Sequence, residues 1–87
     1  MTIADFNAAH PDFFSFVRAN YGKNPRALRN LVAGRYLIVG YEHRGLREYR
    51  IFSAGPAGVV EVPGAPLASA ETAIRHAHWH NYERTNA

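Results

Sequence analysis

Two runs rich in β-branched and aromatic residues, separated only by Arg44-Gly45, constrain this chain more than any other feature. Arg35-Tyr-Leu-Ile-Val-Gly-Tyr-Glu-His43 and Leu46-Arg-Glu-Tyr-Arg-Ile-Phe-Ser53 have the composition of strands, and a two-residue connection predicts an antiparallel hairpin. Such a turn sets the register, with Glu42 opposite Arg47, Gly40 opposite Tyr49 and Ile38 opposite Ile51, and these cross-strand pairs are mutually favourable. A chain of 87 residues that is 47% hydrophobic can build one core but not two, so a single domain over 1–87 is expected around the hairpin.

Helical signals flank it. Thr2 and Asp5 have the spacing of a capping box, with Asp in place of Glu, and predict a helix over about Ile3 to Ala9. Pro11 and Asp12 fit the first turn of a second helix, whose apolar residues Phe13, Phe14, Phe16, Val17 and Tyr21 run up to Gly22. Asn24 as N-cap, Pro25 in the first turn and Gly34 after the last bracket a third helix from Pro25 to Ala33. It would turn Ala27, Leu28, Leu31 and Val32 inward and Arg26, Arg29 and Asn30 outward. After the hairpin, Gly55-Pro56-Ala57-Gly58 reads as a turn, Val59 to Val62 as a short third strand and Pro63-Gly64-Ala65-Pro66 as a loop. Ser69 caps a last helix with a narrow stripe of Ala70, Ala73, Ile74 and Ala77, expected to fray over Asn81 to Ala87. The expected class is α+β: N-terminal helices, an antiparallel hairpin with a short third strand, and a C-terminal helix.

Charge is distributed unevenly. Eight of the ten Lys and Arg residues, Arg18, Lys23, Arg26, Arg29, Arg35, Arg44, Arg47 and Arg50, lie between positions 18 and 50, where only Glu42 and Glu48 oppose them. That lopsided field points to nucleic acid or an acidic protein surface as partner.

The order helix, Gly-containing turn, helix, glycine, hairpin in residues 11 to 55 resembles the winged helix-turn-helix of bacterial DNA-binding proteins. In residues 25 to 38, the spacing of Leu28, Leu31, Gly34 and Ile38 is similar to a recognition helix running into the first wing strand, and residues 43 to 55 are similar to a wing with a basic tip. The resemblance implies that Arg26, Arg29 and Asn30 read base edges of duplex DNA, while Lys23, Arg35, Arg44 and Arg47 hold phosphates. An α-β-β-β-α sandwich is the alternative architecture. The helix, three-strand, helix order is also that of the double-stranded RNA-binding domain, but Ser69-Ala70-Glu71-Thr72 stands where that domain has a lysine-rich start to its last helix, which ranks it lower.

A different class of function is a phage or mobile-element inhibitor or adaptor, similar in size and charge to anti-CRISPR proteins, that binds a protein or nucleoprotein complex. Trp79 and Tyr82 would form a partner-facing patch for it, and the C-terminal helix is also a candidate homodimer interface. His76, His80 and Glu83 share a helix face and are weak zinc candidates, because no cysteine completes a site; no metal or other cofactor is expected. Ser15, Ser53 and Ser69 lack a nucleophile elbow, and the glycines form no phosphate loop, so an enzyme is not expected. With no cysteine, no apolar run long enough for a bilayer and no basic n-region at Met1-Thr2-Ile3-Ala4-Asp5, the expected location is the cytoplasm, with no membrane partner.

Overall fold

The computed structural model describes residues 2–55 and 58–86. Two N-terminal helices, α1 (Ile3–Ala9) and α2 (Phe13–Asn20), precede a four-stranded antiparallel sheet. Its strands are β1 (Lys23–Ala27), β2 (Tyr36–His43), β3 (Leu46–Gly55) and β4 (Gly58–Glu61), in sequential order, and α3 (Ala70–Asn86) closes the chain. The class is α+β.

The hairpin forms in the expected register. Ile38 pairs with Ile51, Gly40 with Tyr49 and Glu42 with Arg47. Arg44 and Gly45 both take positive φ, 52° and 79°, as a two-residue turn matched to the right-handed twist of its strands requires. At the N-terminus the capping box closes, with the Asp5 amide donating to Thr2 Oγ1 at 3.1 Å and the Thr2 amide donating to Asp5 Oδ2 at 3.0 Å. Ser69 Oγ accepts from the Thr72 amide at 3.1 Å and starts α3, which continues as helix through the 81–86 stretch expected to fray.

Between α2 and the hairpin the expectation fails. Residues 25 to 33 are not a helix: β1 pairs with β2, and a loop then returns through a bridge between Val32 and Tyr36. The physical reason lies in β2. Tyr36, Leu37, Ile38, Val39, Gly40 and Tyr41 are all buried, so the backbone groups of Ile38 and Gly40 that point away from β3 need partners that water cannot provide. β1 and the residue that follows it supply them, for example through the Leu28 amide donating to the Ile38 carbonyl at 2.9 Å. The supposed helix signals serve other ends. Asn24 takes φ 50° where the register shifts, and its side-chain amide donates to Glu42 Oε2 at 3.2 Å. Pro25 sits on an edge strand at a position facing away from β2, where its missing N–H costs nothing. Ala33 at φ 52° and Gly34 at φ 67° make the turn into β2.

The hairpin therefore forms the two central strands, covered on both faces, and is not a projecting wing. Strand alternation sorts its side chains. Leu37, Val39, Tyr41 and Phe52 meet Phe6, Phe13 and Val17 of α1 and α2. Tyr36, Ile38 and Ile51 face the other way, against Val62, Ala73 and Ala77, and the two alanines of α3 bring that helix close to the sheet. Beyond β4, Leu67 exchanges both backbone hydrogen bonds with Tyr49 at 2.9 Å and extends the cover of β3. No helix among the described residues is long and apolar enough to cross a membrane.

Candidate interaction surfaces

With Ala73 and Ala77 inward, α3 turns Arg75, His78, Trp79 and Tyr82 outward in the i, i+3, i+4, i+7 spacing of one helical stripe. Trp79 and Tyr82 stack with ring centroids 5.6 Å apart and planes 19° apart, yet remain 59% and 58% exposed. Together with Arg75 and His78 they line a shallow depression of about 480 Å³. His78 also borders a cleft of about 320 Å³ between α3 and the loop after β1, which Arg29 and Asn30 line. Four residues singled out from the sequence, Arg29, Asn30, Trp79 and Tyr82, thus belong to one continuous surface. Arg75 and His78 were missed, although their helical spacing from Trp79 and Tyr82 was a usable signal.

The other basic candidates lie elsewhere. Lys23 and Arg26 are opposite Glu42 and Gly40, and Arg47 is opposite Glu42, so all three side chains fall on the face of the sheet that α3 also covers. Arg47 leans toward β1, 3.4 Å from the Asn24 carbonyl and 3.8 Å from Glu42 Oε1, a weak, half-exposed pair. Arg44 is exposed at the hairpin tip, and Arg35 is half-buried in the turn before β2. Arg18 is exposed on α2 and Arg50 faces that same helical layer, so the basic segment does not emerge on a single side.

Arg50 is a structural residue. Its Nη1 lies 2.7 Å from Glu61 Oε2, its Nε donates to the Tyr41 hydroxyl at 2.7 Å, and its guanidinium carbon stands 4.1 Å from the centre of the Tyr21 ring. Tyr21 donates to the other Glu61 oxygen at 3.0 Å, and Tyr41 donates to Glu48 at 3.0 Å. Burial raises the pKa of Tyr21, assisted by its bond to Glu61, and burial likewise raises that of Tyr41. For Arg50 burial works against the charge, but the bonds to Glu61 and Tyr41 outweigh it and hold the pKa above its ordinary value.

Beside this network, the junction of α1 and α2 and strand β4 enclose a pocket of about 500 Å³. Phe13, Phe52 and Val59 contribute its apolar surface, Phe16 and Tyr21 its aromatic walls, and His10, Asp12 and Glu61 its polar lining.

The weak metal candidates do not converge. His76 Nε2 is 3.0 Å from the Pro63 carbonyl, His80 Nδ1 is 3.0 Å from the hydroxyl of buried Tyr36, and Glu83 is exposed. Among the described residues no group of three or more His, Asp or Glu side chains is arranged to hold a metal ion. Comparison of the chain with family models, curated proteins and solved structures returns no match.

Proposed function

We propose that this chain is a non-enzymatic binding protein of the inhibitor or adaptor class, docking on an acidic patch of a partner protein through the outer face of α3. The observation that carries the reading is the stacked, majority-exposed Trp79 and Tyr82 pair flanked by Arg75, His78 and Arg29. Two stacked aromatic rings, each more than half exposed, on a helix whose other face is already buried present a large apolar surface to a partner, and aromatic and arginine side chains dominate the energetics of protein interfaces. The i, i+3, i+4, i+7 spacing is that of a helix laid into a groove. Positive charge beside the rings favours a partner with carboxylates around an apolar depression.

The test is affinity capture followed by calorimetry on the captured partner. Trp79→Ala is expected to weaken binding by about 2 kcal/mol or more, and Arg29→Ala by a smaller, salt-dependent amount. Equal affinity for the native and Trp79→Ala chains would overturn the assignment.

Duplex DNA remains a second reading, supported by Lys23, Arg26 and Arg47 sharing one sheet face. It requires retention of duplex in a gel shift at low salt that declines steeply as salt rises and disappears in Lys23→Glu/Arg26→Glu. Retention that persists in that double variant removes it.

A further inference from the structure

The two edges of the sheet are built differently. On β1 the outward backbone positions include Pro25, which has no N–H, and the strand is irregular between Lys23 and Arg26, two devices that discourage pairing with another chain. β4 has neither. The Val62 amide donates to the Ile51 carbonyl at 2.8 Å, which makes Ile51 and Val62 a hydrogen-bonded pair. Alternation along the antiparallel ladder then directs the backbone N–H and C=O of Val60 toward β3 and leaves those of Val59 and Glu61 pointing away from the sheet. The side chains of these same two residues line the aromatic pocket at the α1–α2 junction.

We infer that β4 is a second binding site, which takes an extended segment of a partner protein as a fifth strand and seats one of its basic side chains in the pocket. A strand hydrogen-bonded to Val59 and Glu61 places every second side chain on their face, over Phe16 and Tyr21. The pocket suits a long side chain with a cationic end. Arg50 already covers one face of Tyr21, so exposed Phe16 is the wall that accepts an aliphatic stem and the face of a guanidinium, and the lining includes two carboxylates and no lysine or arginine. Glu61 is already engaged by Arg50, so Asp12 supplies the charge left for the ligand; it makes no side-chain cap bond to α2. A second copy of this chain does not fit, because its own β4, Gly58–Glu61, carries no lysine or arginine to meet Asp12. The site is separate from the α3 stripe and does not depend on it.

Two amidated pentapeptides, acetyl-Thr-Val-Arg-Val-Thr and the same with Glu for Arg, are titrated into the isotopically labelled protein. The Arg peptide is expected to shift the Val59 and Glu61 amide resonances and slow their hydrogen exchange, and to bind at least about tenfold more tightly than the Glu peptide. Val59→Pro, which removes one outward N–H without touching the ladder to β3, is expected to abolish binding. Phe16→Ala, at a 48% exposed position, is expected to weaken it about tenfold, and it decides the matter if the proline variant does not fold. Trp79→Ala is expected to change nothing, which keeps this result apart from the α3 assignment. Equal binding of the two peptides, no response at Val59 and Glu61, or full binding by folded Val59→Pro would each overturn the inference, as would self-association of the peptide-free protein through β4.

Discussion

Arg50 distinguishes a structural arginine from a functional one, and its replacement by methionine measures the difference. The side chain is 20% exposed and its carboxylate partner 28%, so the pair lies between the surface limit of about 0–1 kcal/mol and the buried limit of about 3–5 kcal/mol. The change removes a charge-assisted hydrogen bond of 2.7 Å to Glu61, worth about 1.5–3 kcal/mol at that depth. It also removes a cation–π contact at 4.1 Å over Tyr21, worth about 0.5–1 kcal/mol. Partial hydration of Glu61 and the remaining Tyr41 bond to Glu48 limit the damage, because neither group is left without a partner. The expected cost is about 2–3 kcal/mol. With a urea slope of about 1 kcal/mol per molar for a domain of this size, the unfolding midpoint should fall by about 2–3 M. A double-mutant cycle with Glu61→Gln should return a coupling of about 1–2 kcal/mol. A loss under about 0.5 kcal/mol, the value for an ordinary surface substitution, would refute the reasoning and return Arg50 to the exposed basic set.

Gly40→Val should cost about 1–3 kcal/mol in chemical denaturation, because a Cβ there would stand 2.6 Å from the Tyr49 ring. Since folding raises the pKa of Tyr21 and Tyr41, the folded chain binds more protons than the unfolded one above pH about 10. Their contribution is complete below that pH and is lost as pH rises toward the folded values, so thermal stability should decline in alkali, and less steeply in Tyr41→Phe. Trp79→Ala should leave the free energy of unfolding within about 0.5 kcal/mol of the native value, since the ring is mostly exposed to solvent; a larger loss would show that α3 needs it for packing.

The elements legible in the sequence are those whose signals are local. The Arg44-Gly45 turn dictates the β2–β3 register residue by residue, and the Thr2–Asp5 box and Ser69 cap place the starts of α1 and α3. Asn24, Pro25 and Gly34 misled because each suits two contexts: N-cap or positive-φ bulge, first helical turn or strand edge, helix stop or loop turn. On the surface, Trp79 and Tyr82 were recognisable as rings with no place in a stripe of alanines. The pocket was not recognisable, since Tyr21 and Glu61 meet across 40 positions and no spacing rule reaches that far.

Local chemistry in the chain by itself determined the hairpin, its register, the caps and the narrow apolar stripe of the last helix, because each depends on residues a few positions apart. Whether residues 23–27 became helix or strand, and which arginines stayed in water, was decided only by the tertiary structure. A central strand buried on both faces must have its outward backbone groups paired, and a carboxylate brought from β4 must find its counter-ion; both demands arise only once the sheet has assembled.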